Sequence, residues 1–238
     1  MINRILLVRP SDSGETFARV YSSVNPPPFA NYPEAMPLPR GDQQLIQIMD
    51  ASWADAARRA GPHLACRIGC TQCCHGAFAI NALDAARLRA GMDELRSTDP
   101  IRAAAIERRA IAWISEHGSE FPGDAASGVL GRSEAAQQAF EDFANDAACP
   151  ALDPATGQCS VYPWRPITCR VFGPPVRMDD GALACCELCF TSAADEEIAA
   201  CEMHVPHDFE ADLIAQLEDS GETVVAYALL KPAEHHAL

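Results

Sequence analysis

Eleven cysteines stand in three bunches along the 238 residues: Cys66, Cys70, Cys73 and Cys74, then Cys149, Cys159 and Cys169, then Cys185, Cys186, Cys189 and Cys201. None lies between Cys74 and Cys149. Thiols used only as small buried hydrophobes would be scattered rather than bunched. Disulfide frameworks belong to small exported domains, whereas this chain is long, has an odd cysteine count and offers only the short apolar run Ile5–Val8 near its start. That run is too short for the core of a signal peptide, so a cytoplasmic chain with reduced thiols is expected. In a reducing compartment, grouped thiols point to ligation of a metal or an inorganic cluster. The fold must therefore bring distant loops together.

Composition supports a packed domain and removes some partners. Hydrophobic residues make up 48% and charged residues 21%, enough apolar material for a sizeable core at this length. Eighteen Lys+Arg against 33 Asp+Glu leave a formal charge of −15. Such a surface repels phosphate backbones and anionic lipid, so neither nucleic acid nor membrane is an expected partner. No stretch reaches the ~18 apolar residues of a membrane span. A protein or small-molecule partner is expected, its identity open.

Along the chain, residues 1–41 read as an arm. Ile5–Val8 and Phe17–Val24 flank a turn at Ser11–Gly14 and could pair as a hairpin, and Asn25–Gly41 holds six prolines and reads as a linker. Gln43–Ala60 places Leu45, Ile48, Met49, Trp53 and Ala56 on one helical face, with Asp42 as the expected cap and Gly61-Pro62 as the stop. Asn81 caps a helix through Leu95, with Asp84 at its third position. Asp99-Pro100 opens another, ending near His117-Gly118. Ser133 caps a fourth running to about Ala147, Asp208–Leu217 reads as a fifth, and Val224–Lys231 as helix or strand. Between Cys149 and Gly173, four prolines and the Asp153–Gly157 turn exclude a long helix. There is no repeat and no strand–helix alternation. The expected class is mainly α with short irregular strands: a small helical domain, residues 42–205, organised around a cysteine-ligated site on loops, with 206–238 as a helical tail.

The first motif is Cys66-x3-Cys70-x2-Cys73-Cys74. Spacings of two and three let one loop offer several thiolates to a common centre, and Gly69 supplies the tight backbone this needs. Side chains of neighbouring residues diverge, so the Cys73-Cys74 doublet suggests a polynuclear centre, two adjacent centres, or one ligand backed by a second thiol. The second motif is Cys149-Pro-x-Leu, then Cys159-Ser-Val-Tyr162-Pro-Trp-Arg165-Pro166-x-x-Cys169-Arg170-x-Phe172. Its three cysteines are too far apart for one local turn, so they must converge through the 153–157 turn and close on the first motif. Arg165 and Arg170 fit a site rich in thiolate charge, where a guanidinium can donate several hydrogen bonds.

These two motifs together resemble the YkgJ-type cysteine-cluster family of zinc- or iron-chelating bacterial proteins. The resemblance runs from about Cys66 to Cys185. By position it implies Cys66, Cys70, Cys73, Cys74, Cys149, Cys159 and Cys169 as ligands, with Cys185 or Cys186 filling the place of one further cysteine. Arg165 and Pro166 match its Arg-Pro pair and Tyr162 its aromatic, so Tyr162, Arg165 and Arg170 are the residues expected around the bound group. A related cysteine region in flagellin lysine methylases implies support of methyl transfer in one branch.

Zinc takes four thiolates or imidazoles tetrahedrally. An iron–sulfur cluster also takes four thiolates, and being several ångströms across it accepts them from distant loops. The doublet, and main spacings without histidine, favour an iron–sulfur cluster, of the 4Fe–4S type, over zinc. The function expected is that of a metal-binding protein with a redox or modification-enzyme role. The alternative is a zinc-binding structural, regulatory or metal-handling protein without catalysis. Cys186-x2-Cys189 with Cys201-x2-His204 also has the two-pair form of a zinc knuckle, with His207 as a substitute ligand. Rival chemistries find less support. Gln72 stands where radical S-adenosylmethionine enzymes usually carry an aromatic, no His-Glu-x-x-His occurs, and no glycine-rich nucleotide loop follows a strand.

Overall fold

A computed structural model describes residues 38–178, 181–217 and 221–230 of the chain. The Ile5–Val24 hairpin and most of the proline-rich arm lie outside them. Helix α1 runs over Asp42–Ala60, α2 over Ala82–Thr98, α3 over Pro100–His117, α4 over Glu134–Glu141, α5 over Ile167–Arg170, α6 over Asp195–Ala200, α7 over His207–Ile214 and α8 over Val225–Ala228. Strands are two residues long and pair antiparallel: β1 (Ala79–Ile80) with β8 (Thr223–Val224), β2 (Gly123–Asp124) with β3 (Val129–Leu130), β4 (Leu152–Asp153) with β5 (Gln158–Cys159), and β6 (Val176–Arg177) with β7 (Leu183–Ala184). The fold is mainly α with short strands, and most cysteines sit on the connections. Among the described residues no helix is long and apolar enough to cross a membrane.

Local chemistry explains the helix starts. The Asn81 side chain accepts from the Asp84 N–H, Asp99 from Arg102 and Ser133 from Ala136, each quenching an orphan donor of the first turn. Asp42 departs from its expected role. Gly41 occupies the cap, and Asp42 begins the helix with its carboxylate turned inward to Arg87 at 2.5 Å. Arg87 also pairs with Asp84, and all three are buried. A charge this deep is tolerated only when paired.

Two main apolar cores, with a small third around Ala60 and Phe190, hold the elements together. In the larger, Leu88, Met92 and Leu95 of α2 meet Ile106, Ala110 and Trp113 of α3, with Tyr227 and Leu229 filling the space between. In the second, Leu45 and Met49 of α1 pack with Leu83, Ile167, Met203 and Leu213. The C-terminal stretch therefore contributes to both. Residues 223–228 are strand and then a helical turn, each for two to four residues. Helix α4 stops at Glu141, short of the expected Ala147. Beyond it Phe143 enters the larger core, edge-on to Phe121 and Trp113 at 5.7 and 5.8 Å, and Ala144 takes a positive φ of 50°. The carbonyls of Ala144 and Ala147 then bond to Ala77 and Gly76 rather than continuing a helix.

Candidate metal centre

The first cysteine loop is a succession of tight turns. The Cys70 N–H bonds to the Arg67 carbonyl at 2.9 Å, the Cys74 N–H to that of Thr71 at 2.8 Å, and Gln72–Cys74 form one 3₁₀ turn. Gly69 takes φ 88°, a conformation that glycine adopts without steric cost. The loop is fastened to the second motif through the backbone. His75 pairs with Ala148, and the Cys149 N–H bonds to the Cys74 carbonyl at 2.7 Å.

The expected turn at 153–157 is present. The Asp153 carboxylate accepts from the Ala155 N–H and the Thr156 hydroxyl, and the β4–β5 pair sets Cys159 opposite Leu152. Two arginines of α3 hold this hairpin: Arg109 donates to the Pro150 carbonyl at 2.8 Å and to Ser160 Oγ at 3.1 Å, and Arg102 to the Ser160 carbonyl. Neither was visible in the motifs, because an arginine on an amphipathic helix carries no sign of what it reaches. Cys169 rides on α5, whose first N–H, that of Ile167, bonds to Asp84 at 2.9 Å. The preceding turn lies on α2 at Gly91, where a β-carbon would fall 2.3 Å from Trp164 Cγ.

The predicted arginines have different employments. Arg170 is buried and braces the Pro163–Arg165 turn, donating to both of those carbonyls and to Asp50 of α1. Arg165 lies over the exposed Tyr162 ring at 3.8 Å, and its charge pulls down the pKa values of Cys66, Cys73 and Cys159. Arg102 and Arg109 also bring positive charge near Cys159, and Arg109 near Cys149.

The sulfurs form two neighbourhoods. A deep one comprises Cys73, Cys74, Cys149, Cys159 and Cys169. Burial pushes the Cys149 thiol up to about 12 and Cys169 well above the ordinary thiol value, and each also feels its neighbours' charge. Cys73 is the exception. A hydrogen bond with the Cys74 sulfur, opposed by burial and aided by Arg165, brings it down to about 7, while Cys74 is raised. An outer neighbourhood joins Cys66 and Cys70 to Cys186 and Cys189. Burial and then Cys70, Cys73 and Cys189 push Cys66 up to about 11, and Cys186 senses both Cys189 and Cys70. Cys66 and Cys73 connect the two groups.

Cys185 is exposed, and what burial it has, followed by the charge of Cys189, raises its thiol. Cys201 is buried with Ala60, Cys189 and Phe190, whereas His204 is exposed. His75 also points to solvent, and His63 stacks on Phe190. Among the described residues, no three His, Cys, Asp or Glu side chains close on a single point as an ion's ligands do. What the chain assembles is a donor set. It is rich in thiols, of which Cys66, Cys149, Cys159 and Cys169 are made harder to ionise by burial and by their neighbours' charge, and Cys74 by its hydrogen bond with Cys73 and then by burial. It suits a soft, thiophilic cation or an iron–sulfur group whose positive charge relieves that repulsion.

A family model described as "CxxCxxCC: Putative zinc- or iron-chelating domain" matches residues 65–190, more than half of the chain. The chain belongs to the CxxCxxCC family. The matched span takes in all ten thiols from Cys66 to Cys189 and stops short of Cys201. Neither the curated proteins nor the solved structures give a match. Membership makes this a metal-binding protein of the zinc- or iron-chelating kind, in keeping with the donor set. The Cys66–Cys74 loop and the Cys149–Cys169 stretch, 75 residues apart in sequence, are adjacent in space.

Proposed function

We propose that the deep thiols, Cys73, Cys74, Cys149, Cys159 and Cys169, hold an iron–sulfur cluster that serves a redox or modification reaction in a reducing compartment. The supporting observation is the make-up of the group: five sulfurs delivered by three separate elements and brought within reach of one another's charge. A centre several ångströms wide is suited to ligands arriving from such separated elements. When bound, the cluster would supply reversible one-electron chemistry.

The chain's own residues set the conditions around it. Arg165 presents a positive charge to Cys66, Cys73 and Cys159, which favours a more reduced, more negative centre. Arg170, Arg102 and Arg109 hold the loops that carry the ligands. Fourfold thiolate zinc is the second reading, supported by the same soft donors. The deciding experiment is iron, zinc and acid-labile sulfide analysis of protein prepared without oxygen, alongside its visible spectrum. A broad absorption near ~400 nm bleached by dithionite supports the first reading, since iron–sulfur clusters are coloured and redox-active. Colourless protein containing zinc and no sulfide refutes it, since zinc has no redox chemistry.

A further inference from the structure

Helix α5 is a single turn, Ile167–Arg170, and Cys169 is its third residue. One isolated turn fixes several torsions for one hydrogen bond and does not hold by itself. Pro166 stands at its N-cap and supplies no side-chain bond. The Ile167 N–H, left open by the helix, is buried, where an unmet donor is costly. It is met from α2, 83 residues earlier in the chain, by Asp84 Oδ1 at 2.9 Å. Arg170 holds the other end, through the Pro163 and Arg165 carbonyls and Asp50. With both ends fixed, the Cys169 sulfur has one torsion left.

Asp84 is itself fixed from two sides. Its N–H bonds to Asn81 Oδ1 at 3.0 Å, and Arg87, one turn along α2, donates to the same Oδ1 that takes the Ile167 N–H. Arg87 is held in turn by Asp42 of α1. Among the described residues Asp84 Oδ2 has no hydrogen-bond partner, although the side chain is only 1% exposed. A buried carboxylate that served packing alone could give way to an apolar side chain, often without loss. Here one oxygen does the bonding, and it is turned to the segment that bears Cys169. The charge of Asp84 also reaches the Cys169 thiol, after burial and the charges of Cys149, Cys159 and Cys73.

We infer that Asp84 is a positioning residue: by tying the first N–H of α5 to α2 and, through Arg87 and Asp42, to α1, it sets where the Cys169 sulfur stands among the deep thiols. This role rests on the functional reading above only in taking Cys169 as a ligand. Asp42 remains paired with Arg87 when Asp84 is replaced, so the buried cation keeps a partner.

The test compares full-length wild type with Asp84→Ala, Asp84→Leu and Asp84→Asn, and with Ile106→Ala in the other core. Alanine and leucine both remove the acceptor, one leaving space and one filling it, so the pair guards against misfolding of either. In metal-free protein, amide exchange at Ile167 and alkylation of Cys169 should quicken in both by about ten- to a hundredfold, the effect of losing a hydrogen bond to a charged group. Asparagine discards the charge and keeps the acceptor, and should stay near wild type. Ile106→Ala should lower stability in urea unfolding and leave both rates unchanged. In protein purified without oxygen, the alanine and leucine variants should lose iron and sulfide to a chelator faster than wild type and Asp84→Asn. The inference is overturned if alanine and leucine leave both rates at wild-type values, if Ile106→Ala raises them as far, or if asparagine fares no better than alanine. Absence of iron and sulfide from wild type speaks against the iron–sulfur reading instead, and the exchange and alkylation rates still decide the role of Asp84.

Discussion

Replacing Gly91 with alanine tests how the second motif is seated. A β-carbon at this position of α2 would lie 2.3 Å from Trp164 Cγ, 2.4 Å from Cδ2 and 2.8 Å from Cβ. The last distance matters most, because rotating the indole about its first torsion leaves Cβ where it is. The Tyr162–Trp164 turn must therefore move as a unit, and Arg165 and Cys169 follow it in sequence. Overpacking of this kind costs about 1–3 kcal/mol, and the absence of a rotamer escape puts this site near the upper end. Alanine in a helix interior returns about 1 kcal/mol relative to glycine. The net is a loss of about 2 kcal/mol, which for a chain of this size lowers the melting temperature by ~4–8 °C. Urea and thermal unfolding of the metal-free protein measure it directly. The metal-loaded protein should also bind its deep centre more weakly. On a Trp164→Leu background the same substitution should cost less, since the smaller side chain leaves room. An alanine variant as stable as wild type, or more so, refutes the packing argument.

Three further outcomes follow from the site. In metal-free protein at pH 7.5, iodoacetamide should label Cys73 ahead of Cys66 and Cys186, because a thiol lowered to about 7 is mostly thiolate there and those raised to about 11 are not. Arg165→Met should shift the pH midpoint of Cys73 labelling upward, and peptide mass spectrometry reads both; equal labelling of the three contradicts the assignment. Arg87→Met leaves Asp42 and Asp84 buried without their cation, and breaking such a pair costs about 3–5 kcal/mol; a loss below about 1 kcal/mol in urea unfolding would show the triad to be dispensable. Cys169→Ser, or chelation of wild type, should lower the melting temperature together with metal content, since binding to a site built from several elements is linked to folding. Metal-free protein melting with the loaded form would contradict that linkage.

Much of the helical frame was legible because it is written locally. Asn81, Asp99-Pro100 and Ser133 each declare a helix start within three residues, and the Asp153–Gly157 turn declares itself by its own side chains. The end of α4 was not legible, since it is decided by where Phe143 packs and by Ala77 and Gly76, more than 60 residues earlier in the chain. Asp42 looked like a cap because Asp favours that place, but a buried Arg87 outbid the helix end for its carboxylate. At the site, the grouping of cysteines pointed to metal, and the two motifs named the family. Which thiol neighbours which depends on loops that cross. The Cys186-x2-Cys189 turn lies beside the first cysteine loop through the Phe190–His63 and Gln72–Glu187 bonds, pairings between residues far apart in the chain that no local spacing announces.

The backbone bridge at His75–Ala148, with Cys149 bonded to Cys74, has a consequence for how the ends of a long loop are held. Gathering sulfurs across a gap of 75 residues would oblige a loose chain to surrender on the order of 4 kcal/mol of loop-closure entropy. Peptide hydrogen bonds and the aromatic packing around Phe143 share that burden with whatever the thiols bind, so it does not fall on the sulfur ligands alone.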